Sequence, residues 1–197
     1  MHQQEPLNID QEIQQERNIS RNAVIITGAG FQDHDVVFTY YRLMEQGWHV
    51  DVATKNGDPV TGKYGIPLPM DKTARPLIGY EDLSVDQYDA VILTGGHEAP
   101  DRVRQDRNVL DFVAGMDEAG KVVAGLCHGP WIMVSAGVLK GRKACAYIGL
   151  RDDVINAGAD VVDSDVIVDG NIITCSYYGY MGAFMRSVFE TVEKVSA

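Results

Sequence analysis

Residues 122–130 read Val122-Val123-Ala124-Gly125-Leu126-Cys127-His128-Gly129-Pro130, and this stretch decides the fold. The run VVAGL has no polar side chain, as in a strand buried on both faces; a strand with one wet face would alternate. Cys127 ends it. Pro130 suits the first turn of a helix, where its missing N–H costs nothing, so residues 129–136 are expected to be helical. A strand that passes into a helix within two or three residues is the geometry of a nucleophile elbow, a sharp turn that lifts one side chain above the sheet. Gly125 and Gly129 leave the backbone room to turn. The helix start favours negative charge, so the Cys127 thiol is expected to titrate below the free value of about 8.5.

The same pattern repeats on either side. Residues 23–27 (AVIIT) and 90–94 (AVILT) are further buried strands, whereas 49–53 (HVDVA) alternates and belongs nearer an edge. Residues 33–46 carry apolar side chains at helical spacing (Val36, Val37, Tyr40, Tyr41, Leu43, Met44) and stop at Gly47. Helices are also expected over 108–119, 151–157 and 182–194, and a short strand over 143–147. The Gly- and Pro-rich residues 57–70 suggest a hairpin or irregular loop. Gly170-Asn171, between 166–169 and 172–175, is a two-residue hairpin signal. Strands alternating with helices predict an α/β fold: one three-layer sandwich over residues 23–197 with a mostly parallel sheet.

Composition narrows the function classes. The 197 residues include 28 acidic and 17 basic side chains, a net charge of −11, and 45% hydrophobic residues. That balance supports a sizeable core and argues against nucleic-acid and anionic-membrane partners, which need a basic footprint. No apolar run approaches a spanning helix of about 18 residues, and the N-terminus does not read as a secretory signal. Residues 1–22 hold five glutamines and four acidic residues, and read as a polar arm, extended or packed as a short helix on a neighbour. Cys127, Cys145 and Cys175 lack disulfide or zinc spacing, so reduced thiols in a cytoplasmic setting are expected.

Ligands of doubly wound sheets bind beyond the carboxyl ends of the strands. Besides the elbow, two loops lie there. Gly95-Gly96 follows the AVILT strand, and the N–H groups of Gly96 and His128 would make a two-donor oxyanion hole. The first loop, Gly28-Ala29-Gly30-Phe31-Gln32-Asp33-His34-Asp35, lacks the third glycine and the ribose-binding acid of a dinucleotide fingerprint. Asp33 reads as a helix N-cap. Asp35 can face the cleft, where a carboxyl beside a thiolate takes up protons more readily and can shuttle them. His34 and His97 receive no role.

Five segments together are specific: Gly30-Phe31-Gln32-Asp33-His34-Asp35; Val60-Thr61-Gly62-Lys63-Tyr64-Gly65; Gly95-Gly96 with Ala99-Pro100-Asp101; Cys127-His128-Gly129-Pro130; and Val138-Leu139-Lys140-Gly141-Arg142 through Asp152-Asp153 to Asn156-Ala157-Gly158. Over residues 24–192 the sequence resembles the ThiJ/PfpI superfamily, and within it the intracellular-protease branch. The resemblance implies a flavodoxin-like fold and no metal or organic cofactor. It implies Cys127 as nucleophile, His128 as its imidazole partner, Asp101 as the acid that orients the histidine of a neighbouring subunit, and Asp35 as the acid at the cysteine. It therefore implies a homo-oligomer: dimer, trimer or hexamer.

Two departures from the family pattern stand out. Gln32 and Asp35 occupy positions where Glu is usual. Ser176-Tyr177-Tyr178-Gly179-Tyr180 replaces a Pro/Asp-containing loop and suggests a hydroxyl-lined pocket, with Tyr178, Gln32 and Gly95 as candidate lining residues. The leading expectation is a cysteine hydrolase acting on amide bonds of a peptide or small molecule. The first alternative is a glyoxalase or deglycase, in which the thiolate adds to an aldehyde and an acid moves protons. Hydration of a small carbon–nitrogen substrate is a further option, weakened by His128. A different class, an oxidative-stress sensor or holding chaperone, would use the same cysteine for oxidation.

Overall fold

The computed structural model describes residues 21–70 and 75–196. The chain runs β1 (Asn22–Ile26), α1 (Asp33–Glu45), β2 (His49–Thr54), β3 (Val60–Thr61), β4 (Pro67–Leu68), β5 (Ile78–Gly79), β6 (Ala90–Leu93), α2 (Glu98–Val103), α3 (Arg107–Glu118), β7 (Val122–Leu126), α4 (Pro130–Ala136), β8 (Lys143–Ala144), α5 (Arg151–Asn156), β9 (Asp160–Val161), β10 (Val166–Asp169), β11 (Ile172–Cys175) and α6 (Met181–Val195). Seven of these strands form one sheet in the order β10-β11-β7-β6-β1-β2-β5. Every pairing is parallel except β10 with β11, the hairpin closed at Gly170-Asn171. The runs AVII, AVIL and VVAGL lie adjacent in the sheet centre and are fully buried.

Alternate residues of each strand feed opposite faces. Ala23 and Ile25 meet α1 and α6 through Val36, Leu43, Phe184 and Val188. Val24 and Ile26 point to the other layer, where Val109, Phe112, Met116, Ile132 and Met133 of α3 and α4 pack. Each such large side chain contributes about 1.5–3 kcal/mol on burial. The result is a three-layer α/β sandwich with two cores.

The Gly- and Pro-rich segment contains a small antiparallel hairpin, β3–β4. The strand expected over 143–147 shortens to Lys143–Ala144 and pairs with β9. Helix α2, too short for a periodic signal, sits in what the sequence offered only as a loop. At the start of the described residues Arg21 Nη1 donates to Asp89 Oδ1 at 3.2 Å, and Asn22 opens β1. The rest of the expected arm, residues 1–20, lies outside the described residues. Among the described residues no helix is long and apolar enough to cross a membrane.

Candidate active site

From β1 the chain moves to β2 on one side, while β6 lies on the other. The connections after β1, β6 and β7 therefore border one crevice at the strands' carboxyl ends. The Gln32 N–H donates to the Gly95 carbonyl at 3.1 Å, joining the first loop to the second.

At the elbow Cys127 has φ +58°, left-handed backbone that costs a non-glycine residue about 1–2 kcal/mol. The surroundings enforce it. The Cys127 N–H donates to the Cys175 carbonyl and the Gly129 N–H to the Leu126 carbonyl, each at 2.8 Å. A Cβ on Gly129 would collide with the Leu93 carbonyl oxygen, so only glycine lets the chain turn there.

The thiol is buried beside three groups. His128 Nδ1 lies 3.3 Å from its Sγ. The backbone N–H groups of His128 and Gly96 both bond toward the sulfur. Asp35 is fully buried; its Oδ2 accepts the Gly95 N–H at 2.8 Å, and its Oδ1 has no hydrogen-bond partner among the described residues.

Burial governs the protonation states. It pushes Asp35 up to about 7, against the Gly95 hydrogen bond that lowers it. Burial, followed by the Asp35 charge, pushes Cys127 up to about 12, although the His128 and Gly96 N–H groups and Lys63 pull the other way. This overturns the expected acidic thiol: the seven-residue α4 does not outweigh desolvation. Burial, with the His97 and Lys63 charges, lowers His128 to about 4. These directions favour a thiol facing a neutral imidazole across the Sγ–Nδ1 contact, against the thiolate–imidazole pair expected from the sequence.

Other expected residues sit farther out. Asp33 is not an N-cap. It is the first residue of α1, and its carboxylate accepts the Tyr64 and Ile66 N–H groups at 2.8 and 2.9 Å, tying the β3–β4 hairpin to the helix. The Gln32 side chain is buried and contacts His34 Nδ1 at 3.0 Å. Tyr178 stacks on His34 with centroids 5.2 Å apart and planes at 9°. Asp101 is exposed on α2 and has no hydrogen bond or ion pair to His128 within the chain. It borders a shallow depression of about 220 Å³ with His97 and Trp131.

Three neighbours escaped the sequence reading. Trp131 and Tyr147 pack on the His128 ring at 5.3 and 4.7 Å. Lys63 places an ammonium within electrostatic range of both Cys127 and His128. Trp131 had a signal, since it stands three residues after His128 at a helix start; Tyr147 and Lys63 arrive from distant segments and had none. Among the described residues no cluster of three or more His, Cys, Asp or Glu is placed to hold a metal ion.

Comparison with known proteins matches this architecture. The deglycase PfpI of Pyrococcus furiosus is 42% identical over 156 residues, covering 79% of this chain and 90% of that protein. Protein/nucleic acid deglycase 2 of Escherichia coli is 33% identical over 156 residues, covering 78% and 86%. The crystal structure of a ThiJ/PfpI domain protein from Brachyspira murdochii superposes with a TM-score of 0.81 at 19% identity, over 89% of this chain and 98% of that one. The model of the DJ-1/PfpI family matches residues 21–191, from the first strand of the sheet into its last helix, and the chain belongs to that family.

Proposed function

We propose that the protein is a cofactor-free cysteine enzyme of PfpI type that removes carbonyl adducts from amines or thiols: a deglycase, with glyoxalase chemistry on small 2-oxoaldehydes. The observation that carries this reading is the buried carboxyl of Asp35 at the Cys127 thiol, with a pKa of about 7 and one oxygen unpartnered. A group poised near neutrality can both take and return a proton.

In the first step Cys127 Sγ bonds to the carbinol carbon of an adduct R–NH–CH(OH)–CO–R′. The C–N bond breaks, and the thiol proton leaves with the amine. Asp35 then takes the proton from that carbon and returns it to the neighbouring carbonyl carbon, while the carbinol hydroxyl proton passes to that carbonyl's oxygen, converting hemithioacetal to thioester. Water cleaves the thioester to a 2-hydroxy acid and restores the thiol. The Gly96 and His128 N–H groups hold the oxygen as charge builds on it. Relatives at 42% and 33% identity carry deglycase names.

Peptide hydrolysis, the leading expectation from sequence, has support only from the family. It needs His128 oriented and charged, whereas burial and the His97 and Lys63 charges disfavour the charged ring, and no carboxylate among the described residues pairs with it. A homo-oligomer in which a neighbour supplies Asp101 would change this, and the exposed α2 surface near Trp131 suits such a contact. A cytoplasmic setting remains part of the proposal.

The test is to supply the methylglyoxal adduct of N-acetylarginine and, separately, aminocoumarin amides of amino acids. Lactate release from the adduct that Cys127→Ala abolishes supports the deglycase. Amide cleavage without adduct turnover refutes it.

A further inference from the structure

Beside the catalytic pair lies an open groove of about 660 Å³ whose walls include Tyr147, Arg151, Asp163, Asp165, Ser176 and Tyr177. Two of these connect it to the chemistry. Tyr147 packs on the His128 ring at 4.7 Å, and Tyr177 lies within electrostatic range of Cys127. Tyr177 is held in place: its ring lies 4.0 Å from that of Tyr178, which stacks on His34, and its hydroxyl bonds to Tyr178. Its own face stays open, 39% exposed. This is the tyrosine-rich segment in which the sequence departs from its family.

The charges in the groove are arranged unusually. Arg151, half-buried at the start of α5, has no hydrogen-bond or ion-pair partner among the described residues, in a chain of net charge −11. The Asp163 carboxylate is likewise unpaired, and among the described residues Asp165 accepts only from Tyr180 and, through its backbone carbonyl, from Cys145 and from the Ser176 N–H and hydroxyl. Cation and carboxylates line one groove and leave each other free. A ligand that carries both charges on neighbouring atoms satisfies both at once. A flat aromatic wall suits an aliphatic stem laid along it.

Resting on the deglycase reading, we infer that this groove takes the zwitterionic head of a free α-amino acid whose side chain bears the carbonyl adduct. The ligand carboxylate pairs with Arg151 and its ammonium with Asp163 and Asp165. The side chain passes between Tyr147 and Tyr177 and presents its modified end to Cys127. Specificity then favours small modified amino acids over residues inside a polypeptide, whose head groups are amides and carry no charge.

The probe is Nε-lactoyl-lysine, an unreactive amide, and its Nα-acetyl carboxamide form, both titrated calorimetrically into the wild-type protein. The free amino acid is expected to bind about tenfold or more tightly than the capped form, the worth of one charge-assisted contact. Arg151→Gln and Asp163→Asn each remove about tenfold from the free form and leave the capped form's affinity where it was. Circular dichroism of both variants confirms that they fold. Equal affinity for free and capped probes, no binding of either at 10 mM (on the order of the weakest useful affinity), or a preference that survives Arg151→Gln overturns the inference. Lactate formation from methylglyoxal is measured in the same preparation. Its absence in wild type refutes the deglycase reading and leaves the binding result to stand or fall separately.

Discussion

The Gly95 N–H donates to Oδ2 of Asp35 at 2.8 Å, and this bond joins the loop after β6 to the first turn of α1 directly above the elbow. A Cβ on Gly95 would come within 2.7 Å of both that carboxyl oxygen and Cys127 Cβ. Acid, thiol and glycine thus share one space. Gly95→Ala forces them apart, and overpacking of this kind costs about 1–3 kcal/mol. The expected outcome is a soluble protein with a lowered melting temperature and turnover reduced at least as far as in Asp35→Asn. Unchanged kinetics in Gly95→Ala would mean that Asp35 does not act on the bound substrate.

Asp35 itself makes stability depend on pH. Its folded pKa of about 7 lies above the ordinary carboxyl value of 3.8, so its contribution is full below about 4 and is lost as pH rises to about 7. Between those limits the slope is about 1.4 kcal/mol per pH unit. Urea denaturation of wild type from pH 4 to 8 should show this decline, and Asp35→Asn should flatten it. Turnover in Asp35→Asn should fall by about 10²–10⁴, the usual worth of a general acid–base group.

Alkylation of Cys127 reads the same electrostatics from the other side. With the thiol pushed up to about 12, iodoacetamide should react slowly at pH 7 and faster with each pH unit above. Asp35→Asn removes a like charge and should speed alkylation, whereas Lys63→Gln removes a favourable charge and should slow it. Slower alkylation in Asp35→Asn would instead identify Asp35 as the base that activates the resting thiol.

The imidazole of His128 should titrate near 4 by NMR, well below the ordinary 6.5, and Lys63→Gln should raise it. The pH–rate profile of wild type should therefore carry no limb from His128 between pH 6 and 8. A limb in that range that vanishes in His128→Gln would show that assembly recharges the ring.

Complementation tests whether Asp101 acts across chains. Asp101→Asn and Cys127→Ala are each expected to be inactive alone if the histidine needs its acid. Unfolded together and refolded as mixed oligomers, they should regain about a quarter of wild-type activity, because some sites then combine an intact cysteine with an intact neighbour. Full activity of Asp101→Asn alone would remove that residue from the site.

The sequence by itself determined the layered architecture. AVIIT, AVILT and VVAGL could only be strands covered on both faces, and the turn at Cys127-His128-Gly129-Pro130 put the cysteine at a strand end, because local sterics and periodic burial act on neighbouring residues. It also put Asp35 in the first turn of a helix, where it could face the same crevice. It did not determine the charge states. The acidic thiol expected from the helix start became a raised one because desolvation sums over everything packed around the sulfur, and that packing comes from α1, the β3–β4 hairpin and β11. Asp33 looked like a cap and became the anchor of the hairpin because Tyr64 and Ile66 arrive from more than thirty residues away. The Tyr147 partner of His128 was hidden for the same reason: it comes from beyond α4, and no spacing in the chain announces a contact that only the closed sandwich brings together.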